Sequence, residues 1–150
     1  MIKYGLDAFV GIRKEIEPLL NDHWEEIALN KETIKLNPDW EKYALLDANN
    51  MLRVFTARDD GKLIGYFVVI LENSLHYADH VFAHNDIIFL TKECRKGMTG
   101  IKLIKYAEKC LAQEGVKQLF INTKRHQPFD PILKRLKFNE VEKVYAKVLR

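Results

Sequence analysis

The sequence has only two cysteines in 150 residues, Cys94 and Cys110. They lack the spacing of a metal-binding pair, and two thiols are too few to brace a chain of this size with disulfides. We therefore expect a reducing, cytoplasmic location. The chain also lacks an apolar run of about 18 residues and an uninterrupted apolar segment near its N-terminus. Neither a membrane span nor a secretory signal is expected.

An excess of charge of one sign is also lacking. The chain carries 24 basic and 21 acidic residues, which are interspersed and leave a net charge of +3. Such a mixed surface requires no nucleic-acid or membrane partner. The basic residues towards the C-terminus are interrupted by acidic ones and have no accompanying ladder of aromatic side chains, which disfavours a nucleic-acid binder.

No internal repeat, low-complexity tract or linker rich in Pro, Gly or Ser divides the chain. Residues 1–150 are therefore expected to form one domain. A strand–loop–helix–strand unit in the middle implies a parallel crossover in a mixed α/β sheet with helices on both faces. The predicted elements are a short leading strand (2–4), helices from 11 to about 30 and from 39, a hairpin (51–58 and 62–71), a strand (86–91), a helix (100–114), a strand (116–123), a short helix (128–137) and a last strand (138–149).

The loop 95–100 (RKGMTG) joins an apolar strand directly to an amphipathic helix. Free N–H groups and the positive end of the helix dipole make such a junction an anion site. A structural turn with a solvated basic pair explains the pattern equally well. The loop is not a P-loop, because it lacks GKS or GKT, and the chain lacks the G-x-G-x-x-G of dinucleotide folds.

The segment FLTKECRKGMTGIKLIKYAEKCL resembles the acetyl-CoA motif of the GNAT N-acetyltransferases, which is a strand, then (Arg/Gln)-x-x-Gly-x-(Gly/Ala), then a helix. With Gly100 at the last position of this motif, Arg95 takes the first position, which is Arg or Gln in the family. Met98 then stands where the middle glycine is usual, and a glycine occupies position 97 instead. GKLIGYFVVI is similar to the family's third strand, and PILKRLKF to its late "YEKLGF" element. A narrower resemblance, to small GNAT proteins of phage genomes, lies in the segments HWEE, LHYADH, the ND of HND and EVEKVYAKVL. It implies that the protein acts in the host cytoplasm.

This resemblance implies a mixed, mostly antiparallel sheet of six to seven strands whose fourth and fifth strands splay apart around the pantetheine of acetyl-CoA, without a metal. It leaves open whether the protein is a homodimer. Asn122 also has an alternative interpretation as a strand-end cap. The positions implied to bind the cofactor are Phe89, Leu90, Thr91, Arg95, Lys96, Gly97, Met98, Thr99, Gly100, Ile101 and Asn122.

A GNAT reaction needs a base, because a primary amine with a pKa of roughly 10 is protonated near neutral pH. The family's usual glutamate position is occupied by His84, and Asp86 follows two residues later on the same strand face. The family's usual acid, a tyrosine, is replaced by Leu133, so Tyr77 and Tyr145 are candidate substitutes.

Histidines recur every four residues before this strand, at His76, His80 and His84. On an uninterrupted strand they would share a face with Asp86, and on a helix they would suit a metal. The strand-like DIIFLT argues against the helix, and a polar loop with solvated histidines is the alternative.

The acceptor implied by the resemblance is a primary amine of a small molecule or a protein. Its expected contacts form a negative entrance with aromatic side chains, although Glu25 and Glu26 also fit a solvated helix face. These candidate residues are Glu25, Glu26, Asp39, Tyr43 and His76. The competing hypothesis is a GNAT-fold binding module, such as a phage protein that engages a host factor, with weak or lost catalysis. Leu133 and Met98 motivate it.

Overall fold

In the part of the chain that the structure describes, five strands form one sheet in the order of the chain, and four helices cover its two faces. The structure is a computed structural model that describes residues 1–125 and 128–150. All neighbouring strands are antiparallel except β4 and β5, which are parallel. The elements are β1 (Ile2–Asp7), α1 (Phe9–Ile27), α2 (Trp40–Ala48), β2 (Leu52–Asp59), β3 (Lys62–Asn73), β4 (Val81–Leu90), a 3-10 turn (Lys92–Cys94), α3 (Thr99–Gln113), β5 (Gln118–Phe120) and α4 (Asp130–Arg135).

The strand β3 is the centre of the sheet and is buried on both faces, as its nearly unbroken apolar sequence predicts. Tyr66 and Val68 pack with α1 and α2, whereas Phe67 and Val69 pack with α3 and α4. The predicted hairpin is confirmed: β2 and β3 are joined at Asp60 and Gly61, which both have positive φ angles. The mixed α/β class is therefore confirmed.

The crossover from β4 through α3 to β5 is also confirmed. The helix α3 buries Leu103, Ile104, Ala107 and Leu111 against one face of the sheet. Its N-terminus follows the C-terminal end of β4 after a short connection. This geometry places the start of α3 beside the end of the sheet where β4 and β5 diverge.

The predicted last strand, 138–149, is wrong. Residues 139–150 contain neither helix nor strand, and Val144 and Tyr145 are largely exposed. The apolar residues of this segment alternate with a period of two only at Val144, Ala146 and Val148, and the edge strand β5 offers only three residues to pair with. The described part of the chain therefore has five strands where six to seven were predicted.

In the described ranges, 1–125 and 128–150, the helices include none with the length and apolar character needed to cross a membrane.

Candidate active site

The parallel pairing of β4 with β5 covers three residue pairs and ends at His84 and Phe120. Immediately afterwards β4 contains a β-bulge, because Val69 pairs with Asn85 and Val68 with Ile87, which leaves Asp86 as the extra residue. Bulges bend a strand and interrupt its pairing. The open space between the remainder of β4 and the chain after Phe120 is called the β4–β5 gap here.

The closed end of the β4–β5 gap is spanned by a side chain. The carboxamide of Asn85 accepts a hydrogen bond from the Asn122 N–H (2.8 Å) and donates one to the Asn122 carbonyl (3.5 Å). The side chain of Asn122 itself is exposed. Asn85 thus caps the strand end, whereas the sequence suggested Asn122 for that role. In the sequence, the feature that could have indicated a role for Asn85 was its position next to the candidate base Asp86.

Asp86 is in contact with Tyr43, which lies on α2 and is 43 residues away in the chain. The Tyr43 hydroxyl donates a hydrogen bond to the Asp86 carboxylate. The Tyr43 ring is fixed by stacking on Phe9 (5.4 Å between centroids) and by packing against Trp40 (6.0 Å). The structure therefore joins a predicted catalytic residue and a predicted acceptor-side residue into one pair.

The environment of this pair alters both pKa values. Asp86 remains accessible to solvent, but the protein atoms around its carboxylate desolvate it and raise its pKa, while the hydrogen bond from Tyr43 opposes this rise. Burial, and then the hydrogen bond to Asp86, raise the pKa of Tyr43. An accessible carboxylate with a raised pKa is a suitable proton acceptor near neutral pH.

His84 lies on the same sheet face as Asp86, as predicted, because it pairs with Ile70, which packs in the α1 and α2 core. Its ring stacks on Phe120 at 4.8 Å, and its Nε2 lies 3.4 Å from a carboxylate oxygen of Glu72. His84 is therefore held at the closed end of the gap.

The loop before α3 presents backbone donors. The helix begins at Thr99, its N-cap Met98 provides no side-chain hydrogen bond, and its first turn contains no acidic residue. The Lys102 N–H bonds to the Met98 carbonyl (2.9 Å), so the N–H groups of Thr99, Gly100 and Ile101 precede the helical ladder. With Lys96 exposed beside them, these groups are the donors that the predicted anion site would use.

Arg95 is directed towards the protein and away from this anion site. Its Nε donates to the Leu90 carbonyl (2.9 Å), and its Nη2 pairs with both carboxylate oxygens of Glu26 on α1 (2.9 and 2.8 Å). The guanidinium also lies over the Phe89 ring. The hydrogen bond from Arg95 is the main cause that lowers the pKa of Glu26. Arg95 thus fixes the loop, and Glu26, predicted on the acceptor side, is occupied by it.

The backbone of β4 divides between its two neighbours. The Thr91 N–H donates to the Ile64 carbonyl of β3 (2.9 Å). Because backbone groups of successive strand residues point in opposite directions, Phe89 and Thr91 face β3, and Ile88 and Leu90 face the β4–β5 gap. Of the three residues predicted to pair with pantetheine, only Leu90 faces the gap; Ile88, which was not predicted, also faces it. The facing direction of these residues depends on the register of β4 against β3, which the sequence does not reveal.

The fold is shared along its length with solved acetyltransferases. An aminoglycoside acetyltransferase from an uncultured soil metagenomic sample, in complex with sisomicin, has a TM-score of 0.76 and 16% identity, covering 99% of this chain and 97% of its own. A ribosomal-protein-alanine N-acetyltransferase from Brucella melitensis biovar Abortus has 0.69 and 18%, covering 100% and 99%. A predicted acetyltransferase from Clostridium acetobutylicum, solved with acetyl-CoA, has 0.73 and 11%, covering 99% and 96%. The chain has the GNAT fold.

The likeness at these identities is one of fold. No family model matches the sequence, and neither does any curated protein.

In this GNAT fold the β3–β4 connection lies at the opposite end of β4 from the loop before α3. His76, Tyr77 and His80 are all exposed there, because β4 begins only at Val81. His76 and His80 thus lie at exposed loop positions, as their alternative interpretation describes. The Tyr77 ring packs edge-on against Phe82, and Tyr145 is 89% exposed.

The remaining acceptor-side candidates, Asp39 and Glu25, have contacts within their own part of the chain. Asp39 is the N-cap of α2 and accepts a hydrogen bond from the Lys42 N–H (3.0 Å). Glu25 lies 3.4 Å from the ammonium group of Lys31. Both carboxylates therefore have local partners.

A cavity of about 520 Å³ lies between α1 and the loop after β4. It is lined by Asp22, Glu25, Glu26, Phe89, Thr91, Lys92 and Glu93.

Two buried polar groups beside this cavity were not predicted as site residues. The Nδ1 atom of His23 and the hydroxyl of Tyr66 have no hydrogen-bond partner in the described part of the chain. Their rings flank Phe89, at 5.0 and 5.7 Å between centroids. Burial is the main cause that lowers the pKa of His23 to about 4, so the imidazole is neutral at physiological pH.

The ion pair of Arg95 and Glu26 predicts a measurable coupling in stability. We expect about 1 kcal/mol between the two positions, because Nη2 of Arg95 contacts both carboxylate oxygens and the Glu26 side chain is only 18% exposed. Urea unfolding of the wild type, Arg95→Gln, Glu26→Gln and the double variant gives this value.

The control is the Arg13–Glu17 pair, which is exposed on α1 with i,i+4 spacing. It should show about 0.3–0.5 kcal/mol of coupling in the same cycle. If the coupling of Arg95 with Glu26 is no larger than that of the control pair, Arg95 does not fix the loop to α1.

Proposed function

We propose that the protein is an acetyl-CoA-dependent N-acetyltransferase that transfers an acetyl group to a primary amine by direct attack in a ternary complex. The observation that carries this proposal is the bulge of β4, where the accessible Asp86 carboxylate meets Tyr43 beside the open β4–β5 gap. The uncapped start of α3 at the other end of the gap supports it. Structural neighbours named as acetyltransferases add support from the fold.

Acetyl-CoA would lie along the gap. Its pyrophosphate would accept hydrogen bonds from the N–H groups at 99–101, with Lys96 adding positive charge. The pantetheine amides would pair with the backbone groups of Ile88 and with the Leu90 N–H, which face the gap, because the Leu90 carbonyl already accepts a hydrogen bond from Arg95. From Leu90 back to Asn85 the strand extends about 17 Å at roughly 3.3 Å per residue. The thioester would then reach the closed end, beside Asp86.

In the reaction, the amine nitrogen attacks the thioester carbonyl, an N–C bond forms, and the C–S bond breaks. Asp86 accepts the proton that the amine loses, directly or through water. Tyr43 keeps its own proton, because its pKa is raised, and orients the carboxylate. The CoA thiolate leaves without a dedicated acid, because Leu133 is buried where the family usually has a tyrosine and a thiol pKa near 8.5 makes the thiolate a tolerable leaving group.

The acceptor would approach from the side of α1 and α2, where Tyr43 lies. The neighbours solved or named with amine substrates include an aminoglycoside enzyme with bound sisomicin and a ribosomal-protein-alanine enzyme. For this chain we propose a primary amine of a small molecule or a protein, reached past Tyr43 and the cavity beside α1.

Binding and turnover test the proposal together. Calorimetric titration should detect acetyl-CoA binding at micromolar concentrations, and a thiol-release assay over a panel of primary amines should detect turnover. Absence of binding at high micromolar concentrations would contradict the proposal. Binding without thiol release for any amine would favour the competing binding module.

The pKa of Asp86 predicts the pH dependence of this activity. A base must be deprotonated, so kcat/KM should fall as the pH is lowered through the ionisation of Asp86, which lies above the usual carboxyl value of about 3.9. Asp86→Asn should remove this acid limb and lower kcat by about 100-fold or more. The control is Asp79→Asn in the exposed β3–β4 connection. An unchanged acid limb in Asp86→Asn would show that another group is the base.

A further inference from the structure

The closed end of the β4–β5 gap consists of a side chain that no strand pairing requires. Regular pairing between β4 and β5 stops at His84 and Phe120. One residue further, the Asn85 carboxamide makes both of its hydrogen bonds to the main chain of Asn122, on the opposite side of the gap. The gap therefore ends on an amide plane and not on a continuous backbone ladder.

We propose that Asn85 is a specificity-determining residue that limits the length of the acyl group carried by CoA. This inference rests on the proposed function, because it uses the same gap for the thioester. With the pyrophosphate at the start of α3 and the pantetheine beside Ile88 and Leu90, the sulfur lies near Asp86. The carbons of the acyl group beyond the sulfur then point towards the Asn85–Asn122 bridge.

The chemistry of the bridge favours acetyl over longer acyl groups. A longer chain would have to displace the Asn85 carboxamide, which blocks the closed end of the gap, and would bring an apolar carbon against the polar atoms of the bridge. Pockets distinguish one methylene by about tenfold or more when the space is filled. Butyryl-CoA, which has two more methylene groups, should therefore bind at least tenfold more weakly than acetyl-CoA.

Shortening Asn85 should open the gap. Because the bridge is exposed, although Asn85 itself is half-buried, water can replace the lost hydrogen bonds, and the fold should tolerate the change. In Asn85→Ala we expect the affinities for acetyl-CoA and butyryl-CoA to converge to within about threefold. The variant would then lose most of the discrimination of at least tenfold that is expected of the wild type.

Calorimetric titration of CoA, acetyl-CoA and butyryl-CoA into the wild type and the variants tests the proposal without any need for turnover. The matched control is Asn73→Ala, which removes another bridging carboxamide, one that donates to the Ala78 and His80 carbonyls (3.0 and 3.2 Å) in the β3–β4 connection. It should keep the wild-type preference. Asn85→Ser, smaller than Asn but polar, provides the same comparison should the alanine variant fail to fold.

Two results would overturn the inference while leaving the proposed function intact. In one, the wild type binds acetyl-CoA and butyryl-CoA with equal affinity. In the other, Asn85→Ala and Asn85→Ser keep the same preference as Asn73→Ala. If the folded wild type binds none of the three CoA compounds, the proposed function itself fails, and the inference fails with it.

Discussion

Beyond His84 the strands β4 and β5 no longer exchange hydrogen bonds, because the extra residue at Asp86 bends β4 at the point where the parallel pairing ends. The other features of the candidate site depend on this bend. It exposes backbone groups of Ile88 and Leu90 to the β4–β5 gap, and it presents the Asp86 carboxylate to Tyr43 on α2.

An open gap within a sheet leaves polar backbone groups without strand partners, which is costly unless other groups satisfy them. Two side chains do so here. Asn85 satisfies the main chain of Asn122 at the closed end, and Arg95 satisfies the Leu90 carbonyl at the open end. Because Arg95 also binds Glu26, the stability of the open end is coupled to α1. The gap is thus maintained by side chains at both ends, while the space between them remains available.

Local patterns were sufficient to predict much of this arrangement. The β2–β3 hairpin, the helix α3 and the loop before it each depend on residues close together in sequence, and each was predicted from them. The contacts of Tyr43 with Asp86 and of Arg95 with Glu26 join residues 43 and 69 positions apart, so no local pattern could indicate them. They depend on how the helices pack against the sheet.

Two other differences have equally specific causes. The resemblance assigned Phe89, Leu90 and Thr91 to the pantetheine, but the register of β4 against β3 directs Phe89 and Thr91 towards β3. The last predicted strand failed because strand propensity in residues 138–149 does not produce a strand without a long neighbouring edge.

The most direct test of this account is a crystal structure of the protein with bound CoA. The account predicts that the pyrophosphate accepts hydrogen bonds from the N–H groups of Thr99, Gly100 and Ile101, and that the sulfur lies in the β4–β5 gap next to Asp86. A CoA molecule whose sulfur lies outside the gap, or whose pyrophosphate does not contact the start of α3, would contradict it.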